Sequence, residues 1–176
     1  MLSSKLLDLI DHSAGQMSER WRDWIRNSHH MVTYQKLSDE VLVMRSKGVI
    51  INLGKWIDRG FTMEEVGRVY VEVGRERYRE GFPLCEVGLA LHYTKKVVWN
   101  HIMSEGLMTN AMEIYQATDL IVSIQHFFDI AAFYIIRGYQ EEMYLRMNRD
   151  GGIPVDTLNR FFPPESFHLT FDSDLS

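Results

Sequence analysis

The chain has a single cysteine, Cys85, four prolines among 176 residues, and no long apolar run free of charge. One cysteine excludes an intrachain disulfide and a cysteine-ligated metal cluster, and it fits a reducing compartment. Four prolines and 12 glycines are too few for a linker-rich or low-complexity protein. An excess of positive charge is missing too. The formal net charge is -5 and the isoelectric point is near 5.8, which argues against a nucleic-acid partner, since phosphate binding needs clustered cations. The richest apolar window, Leu120–Ile136, holds Gln125, His126 and Asp129 and adjoins Asp119. A membrane span needs about 20 apolar residues without such interruptions. The opening MLSSKLLDLIDHS is broken by Asp8 and Asp11, unlike a signal peptide. A soluble, cytoplasmic protein is expected, with no membrane partner.

Catalytic signatures are equally scarce. No glycine-rich loop follows a strand pattern, and neither Cys85 nor any serine sits in a nucleophile motif. None of the seven histidines has a glutamate three residues before it, as a bundle iron site would want. His29 and His30 have no companion at metal-ligand spacing, so no metal is expected. No acid–base pair presents itself, and the chain is read as non-enzymatic.

What the chain does have is helical periodicity. With 45% hydrophobic residues it can bury one substantial core. Apolar residues from Leu6 to Ile25 recur at three- and four-residue steps, a first helix over Leu2–Asn27 with a break expected near Ser13–Gly15. Ser38-Asp39-Glu40 starts a second helix that runs to Gly60 through Val41, Leu42, Met44, Val49, Ile51, Leu53 and Trp56. Thr62 and Glu65 have capping-box spacing and open a third, with Val66, Val69, Tyr70, Val73 and Tyr78 as its inner face. A fourth runs from Pro83 to Ser104 and ends at Gly106. A fifth, capped by Thr109 or Asn110, reaches Arg149 with Ile114, Ala117, Ile121, Ile124, Phe128, Ala131, Ile135 and Tyr139 as its stripe. Asp150-Gly151-Gly152 stops it. The fold class is all-α, a bundle of about five main helices, with one domain over residues 1–150 and a tail over 151–176 that is loosely packed or disordered. Met17, Met44, Met103 and Met112 read as core filler.

Three groups of residues stand out. The corner Gly74–Leu84, GRERYREGFPL, closes one helix and opens the next. Gly81 takes the left-handed conformation that ends a helix, and Pro83 enters the first turn of the following one. Glu72–Arg75 and Glu76–Arg79 are spaced to pair, and Gly74 lets a neighbouring helix approach so that Arg75 reaches a partner there. A solvated, salt-laced helix end is the plain alternative. His92, His101 and His126 are the candidates for an axial haem ligand; His92 is expected to be partly buried, and His126 is also readable as a core or interface histidine. The fifth helix is apolar on more than one side. A homodimer is therefore expected through Leu120, Ile124, Phe127, Phe128 and Phe133, with Tyr134 beside them and Trp21 or Trp24 from the first helix contributing. A monomer in which the first helix and the tail cover these residues is the alternative.

A helix bearing Trp21, then Leu37-Ser38-Asp39-Glu40-Val41-Leu42, then Gly74-Arg75-Glu76-Arg77 and Gly81-Phe82-Pro83-Leu84, then Leu89-Ala90-Leu91, resembles the N-terminal sensor domain of RsbR-type stressosome proteins. The resemblance covers Leu6 to Arg149. It implies a globin-like fold that usually carries no haem, dimerisation through helices, and a sensory or regulatory role in bacterial stress signalling. It also implies a STAS-domain or switch-kinase partner. In that family a long helix leads from the sensor into a STAS output domain; here Asp150-Gly151-Gly152 and a short acidic tail follow instead.

Overall fold

The computed structural model describes residues 2–104 and 111–162, with side chains described for 8–104, 115 and 118–162. Gly106, Thr109, Asn110 and residues 163–176 lie outside the described residues, as do the side chains of Leu6, Met112, Ile114 and Ala117. Among the described residues six α-helices follow in order: α1 (Leu2–Asn27), α2 (Asp39–Arg59), α3 (Met63–Arg79), α4 (Leu84–Ser104), α5 (Ala111–Arg149) and α6 (Val155–Phe161). A single 3-10 turn, Tyr34–Lys36, joins α1 to α2. The fold is all-α, with no strand among the described residues.

Local chemistry sets most helix ends. Ser38 caps α2, its Oγ accepting from the Val41 amide at 3.4 Å. Thr62 and Glu65 form a reciprocal capping box at the start of α3, at 3.2 and 2.9 Å. At the other end of α3 the Phe82 amide donates to the Arg77 carbonyl at 3.0 Å and the Gly81 amide to the Tyr78 carbonyl at 2.9 Å. This Schellman pattern requires a positive φ at Gly81, which is +78°. Pro83 is not inside α4 but immediately before it, where its carbonyl accepts from Glu86 and Val87 at 3.0 and 3.1 Å. Gly152, at φ +63°, turns the chain after α5. The helix α6 beyond it is not anticipated by the sequence, which shows no periodic run there; it is held by buried Leu158 and by Tyr144 Oη donating to Asn159 Oδ1 at 2.9 Å.

The expected break in α1 is absent. Ile10, Ala14, Met17, Trp21 and Ile25 form one continuous buried stripe, and Gly15 lies off it. The most extensive pairings are α3 against α5 and α1 against α2, with α4 packed on α1. Glycines set the first of these. A Cβ added to Gly74 would overlap the Ile135 carbonyl, and one added to Gly138 would overlap the Val71 carbonyl. The two backbones therefore touch, glycine against main chain on both sides. Around this crossing sits the aromatic core of Trp56, Tyr70, Phe127 and Phe128. Some stripe assignments differ: Met44, Val69 and Met103 are exposed, and on α2 Ile50 is buried between half-buried Val49 and Ile51. The helix α5, about 58 Å long at 1.5 Å per residue, has within it Thr118–Arg149, long and apolar enough to cross a membrane by length and composition alone. In this fold it is the central helix of the bundle.

Candidate functional site

The corner at the end of α3 is built as a ladder of ion pairs against α5. Arg75 Nη2 lies 2.9 Å from Glu141 and its Nη1 3.4 Å from Glu72. Arg137 holds the other oxygen of Glu141 at 2.8 Å. Glu141, with a side chain only 4% exposed, is thus clasped by two guanidiniums. Arg79 does not pair with Glu76. It reaches Glu72 at 2.8 Å and Glu142 at 3.1 Å, while Arg146 approaches Glu142 at 3.0 Å and Asp150 at 2.9 Å. Arg77 turns the opposite way and shares Glu80 with Arg45, both at 2.6 Å. Hydrogen bonding from Arg79 and Arg146 holds the Glu142 carboxyl below its ordinary range against the opposing effect of burial. Burial pushes Glu80 upward, but Arg45 and Arg77 outweigh it and lower it. Tyr139 Oη donates to the Phe82 carbonyl at 2.8 Å and pins the corner itself.

A second feature is an open groove of about 670 Å³ between α4 and α5. His92, Lys95, Lys96 and Trp99 line one wall; Ile121, Val122, Gln125, His126 and Asp129 line the other. Lys95 sits 3.5 Å from Asp129, and Gln125 donates to the same carboxylate at 3.2 Å. Lys96 lies over the Trp24 ring, 5.4 Å from its centroid. His126 stacks on Phe61 at 6.0 Å. The groove thus brings together His92 and His126, both exposed and not partly buried or in the core. His101 is placed apart from them, buried on the inner face of α4. Among the described residues no three of His, Cys, Asp and Glu converge as metal ligands.

The model of the family described as the RsbT co-antagonist protein rsbRD N-terminal domain matches residues 15–150. The chain belongs to that family. No curated protein and no solved structure matches it. An rsbRD-type N-terminal domain is a stressosome-type sensor domain, regulatory in character, and its all-α fold is globin-like. The matched span begins within α1 and ends at the α5 stop, so α6 lies beyond it.

Several residues expected at a dimer interface belong instead to the core of this rsbRD-type domain. Trp21, Leu120, Ile124, Phe127 and Phe128 are buried within the single chain, Phe127 completely. The reason is the α3–α5 crossing and α1. Glycine contacts draw α5 into the middle of the bundle, so that Phe127 meets Trp56 at 5.3 Å and Tyr70 at 5.7 Å. Trp21 packs on Tyr34 and its Nε1 donates to the Ala90 carbonyl at 3.0 Å. Trp24 is half-buried against Tyr93. Phe133 does face outward, at 54% exposure, on the same side of α5 as Val122, His126, Asp129 and Ile136.

Two structural residues escape a reading by motif. Gly138 is the partner of Gly74, and its only sign is a glycine interrupting a long helix. Glu86 is buried and accepts from the Thr33 amide at 2.9 Å, the Thr33 hydroxyl at 3.0 Å and the Tyr34 amide at 3.2 Å. It ties α4 to the α1–α2 connection, satisfying backbone donors that the 3-10 turn leaves open.

Proposed function

We propose that this chain is a non-enzymatic sensory module of bacterial stress signalling, cytoplasmic, that self-associates as a homodimer and works through protein contacts. The family name supports contact with a switch kinase or with the STAS-domain proteins that antagonise one. The observation that carries the reading is the outward side of α5. Val122, Phe133 and Ile136 are exposed on a helix whose other sides are core, and an apolar stripe left in water is where a helical module meets a partner. The buried ion-pair ladder keeps α3 and α5 in fixed register, so a shift of one helix carries the other with it. Calorimetric titration of the purified chain with the switch kinase and the STAS-domain protein of the same cell tests the contact. Saturable binding to one of them is expected, weakened at least tenfold by Phe133→Asp. Absence of binding to both contradicts the reading.

A second reading is a globin-related haem protein. What favours it is that His92 and His126 line one groove of a size able to take a drug-sized ligand. Protein purified from a haem-competent host would then show a Soret band that His92→Ala or His126→Ala removes; a spectrum without one rules this reading out.

A further inference from the structure

Between α2, α3 and α4 lies a second, smaller cavity of about 60 Å³, partly open to solvent. Arg45 and Ser46 of α2 and Tyr70 and Arg77 of α3 are in its wall, with apolar cover from Val87 and Ile135. Three of these residues carry a buried polar atom that has no hydrogen-bond partner in the protein: Arg45 Nη1, Ser46 Oγ and Tyr70 Oη. Ser46 and Tyr70 are each 2% exposed, so solvent at the surface does not satisfy them. Native proteins leave very few such atoms, and three around one small space mark it as built for an occupant.

The chemistry of the three atoms specifies that occupant. A guanidinium donates only, and both hydroxyls can donate. Burial pushes the Tyr70 phenol well above its ordinary value, so it keeps its proton. The charge is unbalanced in the same direction. Arg45 and Arg77 share Glu80, each at 2.6 Å, and the nearest further carboxylate, Glu76, stands 3.9 Å from Arg77 and is half in solvent. The guanidinium of Arg45 also lies over the Phe82 ring, 5.3 Å from its centroid, and its second nitrogen is left without a hydrogen-bond partner in the cavity wall. The volume equals about two water molecules' share of liquid, room for two to four non-hydrogen atoms. Sulfate or phosphate, with five such atoms and up to two or three charges, exceeds it.

We infer that this cavity is a binding site for a small monovalent anion, of the size of formate, nitrite, nitrate, bicarbonate or a halide, held by Arg45, Ser46 and Tyr70. Its place in the core, in contact with α2, α3 and α4 at once, makes it an input site. Occupancy adds hydrogen bonds between α2 and α3, and Arg45, through Glu80, links them to the corner at the end of α3. The side chains of Arg45 and Arg77, 17% and 13% exposed, stand in the cavity wall. This role rests on the sensor reading above, but binding itself is measured on the chain alone. Failure of anion binding overturns the site, and failure of partner binding overturns the sensor reading.

The test is thermal unfolding of the full chain in sodium salts of the five anions, each compared with sulfate at equal ionic strength. At least one monovalent anion is expected to raise the unfolding midpoint saturably where sulfate does not. Tyr70→Phe and Ser46→Ala remove a hydroxyl without adding volume and are expected to weaken that anion's apparent affinity tenfold or more. Crystals grown in bromide are expected to show an anomalous peak beside Tyr70 Oη. A saturable shift with none of the anions, which would leave ordered water as the occupant, overturns the inference. So does a shift that Tyr70→Phe and Ser46→Ala leave undiminished.

Discussion

Glu141 is the residue on which the α3–α5 register turns electrostatically. Exposed pairs such as Arg146–Asp150 add ~0–1 kcal/mol at most. Glu141 is different, because its charge is buried and both oxygens are taken by guanidiniums. Replacing Arg75 and Arg137 together by methionine strands that carboxylate, and a loss of about 3–5 kcal/mol is expected in urea unfolding. Asp150→Ala, at the exposed end of the Arg146–Asp150 pair, is expected to stay within about 1 kcal/mol. Glu142 and Glu80 set the acid limb of stability. Both carboxyls titrate below their ordinary range in the folded chain, so each stabilises the fold above the unfolded carboxylate pKa of about 4.3 and loses that contribution as pH falls through the lowered folded value. The unfolding midpoint is therefore expected to drop as the pH falls below about 4.3, and less steeply in Glu142→Gln. A midpoint flat on acidification below that pH contradicts the pairing. The sequence leads Arg75 to be expected at a partner beside the Gly74 contact, and Glu141 of α5 is that partner, but spacing alone does not identify it. Glu72–Arg75 follows from helix geometry, whereas Glu141 and Glu142 come from a helix some 65 residues further on.

At the scale of elements, the glycines make the sharpest forecast. Gly48 and Gly88 lie in exposed helix where an added Cβ meets nothing, so alanine there is expected to stabilise by about 0.5–1 kcal/mol. Gly74 and Gly138 face backbone, and alanine at either is expected to destabilise by on the order of 3 kcal/mol or to prevent folding. Equal effects at all four sites in denaturant titrations would mean that α3 and α5 do not touch main chain to main chain. Helix ends were legible because their signals are local. The Ser38 cap, the Thr62–Glu65 box and the Gly81 turn are written within four or five residues of each other. The orientation of α5 was not legible. A helix apolar on several sides has no single stripe, and what decides its inward face is Gly138 meeting Val71 across the bundle. The segment α6 escaped for the opposite reason, being seven residues with one buried anchor, too short for periodicity to register.

For the whole molecule, the proposed homodimer would have this rsbRD-type domain present the outer side of α5 to a second copy. The candidate groove was half legible: the sequence singled out His92 and His126, while the fold alone shows that α4 and α5 bring them together. Phe127 and Phe133 separate the two roles of α5. Phe127→Ala opens a core cavity, for which a loss of about 3–5 kcal/mol is expected with the assembly state retained in the folded fraction. Phe133→Asp changes an exposed position, and its stability is expected to stay near that of the parent, within about 1 kcal/mol. Light scattering over a dilution series of the parent chain and Phe133→Asp is the most direct measurement. A two-chain mass is expected for the parent at high micromolar concentration and a one-chain mass for Phe133→Asp at the same concentration. A one-chain mass for the parent, or a two-chain mass unchanged by the charge at residue 133, contradicts the proposed dimer.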